Sequence, residues 1–138
     1  PARKIDEENF KLIDFFTPNE SEAEFYLNKK IKTEIDFKDA GNELLKKGVK
    51  NIIITMGEKG IYFANNEENF FINAYKLKQP VLDTTGAGDA FNGALTVGLA
   101  NNLDIKEALT FAIKIAGIST TKLGAAASMP FKKDLINY

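Results

Sequence analysis

The run Asp83-Thr84-Thr85-Gly86-Ala87-Gly88-Asp89-Ala90-Phe91-Asn92-Gly93-Ala94-Leu95 holds the densest set of chemically suggestive residues in the chain. A small-residue turn there opens a helix. The first amides of a helix have no partner within it, and they carry the positive end of its dipole. Glycines let a large anion come close to such amides. A carboxylate, Asp89, stands in the same turn. An anion hole beside a general base is what phosphorylation of a hydroxyl requires. A structural reading stands beside this one: a glycine-rich turn in which Asp89 merely complements the helix dipole. Two common phosphate motifs do not fit. No Gly precedes Lys-Ser or Lys-Thr, and a G-x-G-x-x-G pattern would need glycine where Phe91 stands.

Other residues carry the same pair of readings. Asn19 and Glu22 have the spacing of a polar binding motif and equally of a helix cap. Thr55-Met56-Gly57-Glu58-Lys59-Gly60 reads on its own as a strand-to-hairpin turn. Asp83 alone serves as a turn or capping residue, and Ile113 alone is core.

Composition narrows the chemistry. The chain has 138 residues, 44% of them hydrophobic, which fits one domain with its own core. Lys plus Arg is 18 and Asp plus Glu is 19, for a net charge of -1. That balance argues against a nucleic-acid or membrane-surface binder. The absence of His excludes a Ser-His-Asp triad, an HExxH zinc site and a histidine base. The absence of Cys excludes disulfides, thiol nucleophiles and thiolate metal sites. Catalysis is left to carboxylates, amides, Lys, Tyr and hydroxyls. No stretch reaches the roughly 18 apolar residues of a membrane span. Acidic residues follow Pro1-Ala2-Arg3-Lys4 at once, which is unlike a signal peptide. The expected compartment is the cytoplasm. The missing initiator Met fits either processing or a piece of a longer chain.

The elements that must position these residues can be read from periodicity and punctuation. Residues 5–16 predict a short amphipathic helix running into a brief buried strand at 13–17, which Pro18 ends. Asn19 opens a helix through Leu27, and a second begins near Asp36 and stops at Gly48. Residues 49–56 hold a β-branched run that reads as a strand buried on both faces, as in a parallel sheet. Residues 61–64 and 70–72 form a hairpin with a polar tip. A small-residue helix follows to Leu99. Asp104 and Glu107 start a buried helix with a capping box, and a short terminal helix closes the chain. Phe10, Phe15, Phe16, Phe25, Tyr26 and Phe37 are expected in the core. Lys29-Lys30 and Lys46-Lys47 are expected as solvated helix ends. Alternation of helices and strands suggests an α/β sheet with helices on both faces.

The 83–95 run resembles, over its whole length, the second signature of the ribokinase-like, or PfkB-type, carbohydrate kinases. Thr17-Pro18-Asn19-Glu20-Ser21-Glu22-Ala23-Glu24 is similar to that family's Asn-x-x-Glu segment, and 55–60 to its nucleotide loop. Gly124-Ala125-Ala126-Ala127-Ser128-Met129-Pro130 resembles the closing loop of the ribose-phosphorylating members. Pro1-Ala2-Arg3 resembles the stretch after a central strand in those members. The segments come in family order, and the likeness covers nearly the whole chain. It implies the C-terminal, nucleotide-binding part of a three-layer α/β/α sandwich spanning 1–138, with a hairpin near the nucleotide site. It further implies that the N-terminal sugar-binding part and the lid are absent from these 138 residues.

The resemblance also implies roles. Asp89 becomes the catalytic base, in contact with the sugar hydroxyl. The amides of Gly86, Ala87 and Gly88 become the anion hole. Asn19, Thr55, Met56, Gly57, Glu58, Lys59, Gly60, Gly88, Asp89 and Ile113 become nucleotide-binding, with Ile113 passing the adenine. Asn19 and Glu22 organise Mg2+ and its waters. Asp83, Thr85, Ser119, Lys122, Gly124 and Ser128 surround a monovalent cation, K+, mostly through backbone carbonyls. The implied reaction converts D-ribose and ATP to ribose 5-phosphate and ADP. Deoxyribose or another sugar of the family is the near rival, and a non-catalytic nucleotide-binding fragment is the rival of another class. The partners implied are ATP, ADP and a small sugar, with a homodimer of the full-length protein through the missing lid also open. No nucleic acid or membrane partner is expected.

Overall fold

A computed structural model describes residues 2–137. Pro1, which opens the Pro1-Ala2-Arg3 stretch, lies outside the described residues. The chain divides into two compact units, 1–73 and 74–138.

The first unit holds a four-stranded sheet in the order β1 (Phe15–Phe16), β2 (Asn51–Thr55), β3 (Ile61–Ala64), β4 (Asn69–Ile72). β1 and β2 are parallel, joined through α1 (Glu20–Leu27) and α2 (Glu34–Lys46). β2, β3 and β4 are antiparallel, with Ile54 opposite Tyr62 and Phe63 opposite Phe70. Ile52, Ile53 and Ile54 are fully buried, so β2 is buried on both faces as its β-branched run predicts. The sheet is mixed, however, because the connections 56–60 and 65–68 are short enough for hairpins and not for crossovers. Ile52, Ile54, Tyr62 and Ala64 pack with Phe37, Ala40 and Leu44 of α2 and with Ala23 of α1. Gly41 permits this approach: a Cβ there would lie 2.8 Å from the Tyr62 ring.

Several expectations need correction. The predicted 13–17 strand shrinks to two residues at the sheet edge, and Phe15 is 37% exposed. The segment before it is a short 3-10 helix, Glu7–Leu12. Phe25 is also exposed, at 54%, whereas Phe10, Phe16 and Tyr26 meet edge to face. Of the lysines at the helix ends, Lys30 and Lys46 are exposed as expected, while Lys29 and Lys47 are partly buried; Lys29 pairs with Glu43, Lys30 with Glu24 at 2.7 Å and Lys47 with Glu7 at 3.0 Å. Such exposed pairs are worth little, roughly 0–1 kcal/mol each. Alternation of strands and helices stops at Ile72, since the regular elements beyond it are helices among the described residues.

The second unit is built on α3 (Ala87–Ala100) and α4 (Ile105–Ser119), joined by the turn 101–104. Asn102 takes a left-handed φ of 59° there. Gly98 lets the helices close up, since a Cβ on it would meet the Ala108 Cβ at 3.0 Å. Leu109, Ala112 and Ile118 are fully buried, as the near-continuous apolar periodicity of α4 requires. A 3-10 turn, Ala126–Ser128, and a terminal 3-10 helix, Lys132–Asn137, follow.

Candidate active site

Each unit carries its own set of the residues singled out by sequence. In the first, Asn19 is the N-cap of α1. Its Oδ1 accepts the Glu22 amide at 2.9 Å, and Glu22 Oε2 accepts the Asn19 amide at 2.9 Å. The capping reading of this pair is therefore realised, and Glu22 Oε1 keeps no protein donor among the described residues. Asn19 also bridges Thr55 in parallel fashion, and the Thr55 amide donates to the Pro18 carbonyl at 2.9 Å. This fixes the start of α1 beside the end of β2. The loop 56–60 is tied back on itself by Met56 N–H to Gly60 O at 2.8 Å and Lys59 N–H to Met56 O at 3.1 Å. Gly57 and Gly60 have φ of 56° and 100°, which L side chains rarely adopt. Gly57, Glu58 and Lys59 are exposed, whereas Met56 and Gly60 are buried.

In the second unit the run 83–95 forms a turn into α3. Gly86 is the N-cap, with φ of 79° and no side-chain cap. The Ala87 amide donates to the Thr84 carbonyl at 3.2 Å, closing the turn. The Ala87 amide is therefore engaged within the turn. The amides of Gly86, Gly88 and Asp89 have no partner among the described residues. Thr84, Thr85, Gly88 and Asp89 are exposed, and a Cβ on Gly88 would meet nothing within 4 Å. The Asp89 carboxylate, in the first turn of the helix, makes no hydrogen bond among the described residues.

Asp83 is differently placed. Its Oδ1 accepts the Thr85 amide and its Oδ2 the Gly124 amide, each at 2.9 Å. The Thr85 side chain, the Thr85 amide and the Gly124 amide together hold its carboxyl below the ordinary value of 3.8. Ser119 and Ser128 are buried, donating to Ala116 O at 2.7 Å and Ala125 O at 2.8 Å. The Lys122 amide donates to Ser119 O at 3.3 Å, and its ammonium pairs with Asp134, also at 3.3 Å. Ile113 is buried in α4, 7% exposed. Two contributors escaped sequence reasoning. The Thr33/Asp36 cap starts α2 earlier than expected, and a T-x-x-D pattern was its available signal. The Asp83 bond to Gly124 spans distant positions and leaves no local signal.

Comparison with known proteins gives the family. The family model described as pfkB family carbohydrate kinase matches residues 2–132. The chain is 38% identical over 136 residues to a ribokinase of Staphylococcus aureus, covering 98% of this chain and 44% of that protein. It is 34% identical to a deoxyribokinase of Salmonella typhi over 128 residues, covering 93% of this chain and 41% of that one. The solved structure of Arabidopsis thaliana ribokinase complexed with ribose and ATP superposes with a TM-score of 0.90 at 30% identity, covering 96% of this chain and 43% of its own. The chain belongs to the pfkB family of carbohydrate kinases, and its α/β fold is a partial ribokinase-like fold. It spans under half the length of these relatives. No helix of the described residues is long and apolar enough to cross a membrane.

Proposed function

We propose that this chain is the C-terminal, nucleotide-side portion of an ATP-dependent sugar kinase that converts D-ribose to ribose 5-phosphate. One observation carries the reading: Asp89 stands free beside open amides at the start of α3, in a chain of the pfkB family. In the proposed step Asp89 accepts the proton of a sugar hydroxyl as that oxygen attacks the γ-phosphorus of ATP. The bond from the γ-phosphorus to the bridging oxygen breaks, and ADP leaves. The amides of Gly86 and Gly88 donate to the anionic oxygens as charge develops, with Ala87 joining when its turn bond opens. Removing one such donor typically costs about 2.7–4 kcal/mol of transition-state stabilisation. Asn19, residues 55–60 and Ile113 are assigned to the nucleotide.

Two ions belong to the proposal. The described residues bring together no group of three or more His, Cys, Asp or Glu side chains. A free oxygen of Glu22 suits water-mediated contact with Mg2+, which keeps several waters and binds mainly through phosphates. When bound, Mg2+ neutralises charge on the phosphate oxygens. The set of Asp83, Thr85, Ser119, Lys122, Gly124 and Ser128 offers hard carbonyl, hydroxyl and carboxylate oxygens, which fit a monovalent cation such as K+. Likeness to a deoxyribokinase supports deoxyribose as the second substrate reading.

The test is sugar-dependent ADP formation by the full-length protein across ribose, deoxyribose and hexoses. Ribose-dependent turnover is expected. ATP hydrolysis without dependence on any sugar would overturn the reading. The isolated chain is expected to bind ADP and to turn over no sugar.

A further inference from the structure

We propose that Arg3 is a further phosphate-binding residue, facing a phosphoryl group of the metal-bound nucleotide across a cleft between β1 and α1. The inference rests on the reading of the chain as part of an ATP-dependent kinase. The cleft has a volume of about 320 Å³, and Arg3, Phe16, Thr17, Glu22 and Tyr26 are among the residues lining it. All of them belong to the first unit. The Phe16 and Tyr26 rings meet edge to face at 5.2 Å and make a fixed apolar wall. Glu22 is fixed by its cap: Oε2 accepts the Asn19 amide at 2.9 Å, which leaves Oε1 uncommitted. The Thr17 and Tyr26 hydroxyls make no hydrogen bond among the described residues. Arg3 is exposed and has neither an ion pair nor a hydrogen bond among them. Lys29, Lys30, Lys47 and Lys50 of the same unit each pair with a carboxylate. Arg3 shares a cleft with Glu22 and does not pair with it.

A cleft that keeps a cation and an anion apart suits a ligand carrying both signs. A bare anion would meet the Glu22 carboxylate, and a bare metal ion would meet the guanidinium. A nucleotide with Mg2+ bound presents phosphoryl oxygens to Arg3 and metal-bound water to Glu22 Oε1. The guanidinium is planar, always charged and forked, so it can donate to two oxygens of one phosphoryl group at once. The Thr17 and Tyr26 hydroxyls can donate to a further oxygen. Arg3 thus gives a role to the Pro1-Ala2-Arg3 stretch, which the roles assigned so far leave out.

The experiment is calorimetric titration of the full-length protein, without sugar, by MgATP, MgADP and adenosine. Arg3→Gln removes the charge and the fork together. Its affinity for MgATP should fall by roughly ten- to a hundredfold, the range of a hydrogen-bonded charge, while adenosine binds as before. A loss confined to MgATP puts the contact on the terminal phosphoryl group, and a loss shared by MgADP puts it on an inner one. Arg3→Lys keeps the charge without the fork and should recover part of the affinity. In the wild type the Arg3 Nε resonance should move with MgATP and stay in place with ribose. Unchanged MgATP affinity in Arg3→Gln, an equal loss for adenosine, or an Arg3 resonance that answers to ribose alone would overturn the assignment. Should Arg3→Gln not fold, the wild-type resonance decides alone. Lack of sugar-dependent ADP formation by the wild type would instead remove the proposed function and leave the nucleotide result standing.

Discussion

The described residues contain four α-helices, and three of them begin in one way while the fourth does not. α1, α2 and α4 each open with a reciprocal capping box, Asn19 with Glu22, Thr33 with Asp36 and Asp104 with Glu107. In each the third helical residue is acidic and reaches back to the N-cap amide, at 2.9, 2.8 and 3.4 Å. α3 has the same acid at the same position, Asp89, but a left-handed glycine as N-cap. Gly86 has no side chain to receive the Asp89 amide, and Asp89 makes no return bond among the described residues. The dipole and the orphan amides are common to all four helices. Three use the acid to close the helix end, and one leaves both acid and amides open. A carboxylate engaged in a cap has one oxygen committed to the N-cap amide; a free one has both oxygens open to accept a proton from a substrate.

Breaking the two kinds of helix start should give opposite results. The largest effect is expected from Asp89→Asn in the full-length protein. The amide keeps size and shape but not basicity, so kcat should fall by about 10²–10⁴-fold with little change in ATP affinity. Its melting temperature should move little, because a first-turn acid contributes only about 0.3–1 kcal/mol through the dipole. Near-normal turnover with a lowered melting temperature would reduce Asp89 to a dipole partner. The converse holds at a capped start. Asp104→Ala should cost about 0.5–2 kcal/mol in denaturant unfolding and leave kcat unchanged. The smallest effect is a pH response at α2. The amides of Lys32 and Thr33, then the Thr33 hydroxyl, hold the Asp36 carboxyl below its ordinary 3.8. A depressed folded value means the contribution is complete above the ordinary value and is lost as pH falls through the folded one. Protection of the Thr33 and Asp36 amides, relative to their intrinsic exchange at each pH, should therefore fall below about pH 4. In Asp36→Asn that acid dependence should vanish.

What was legible in sequence follows from the range of each interaction. Capping boxes at Asn19 and Asp104 are written in residues three apart, and so is the turn at 83–89. The buried character of β2 is carried by Ile52, Ile53 and Ile54 themselves. The parallel-sheet reading of that strand failed in part because burial on both faces does not specify the direction of a neighbour; the short connection 56–60 from β2 to β3 does. Phe15 and Phe25 show the limit of composition, as aromatic residues at helical or strand spacing can still face outward. Asp83 was legible from its own neighbours only as a turn residue, and as a neighbour of Gly124 only through the family resemblance, since Gly124 is distant in sequence and contributes only an amide, which every residue but proline possesses.

The central claim is that α3 alone, among these helices, presents its start to an anion. Backbone amide chemical shifts during titration of the full-length protein with ATP test it directly. The account predicts saturable shifts at Gly86, Gly88 and Asp89, and none beyond baseline at the capped starts of α2 and α4. Unmoved amides at Gly86, Gly88 and Asp89 under saturating ATP, or equal shifts at Asp36 and Glu107, would contradict it.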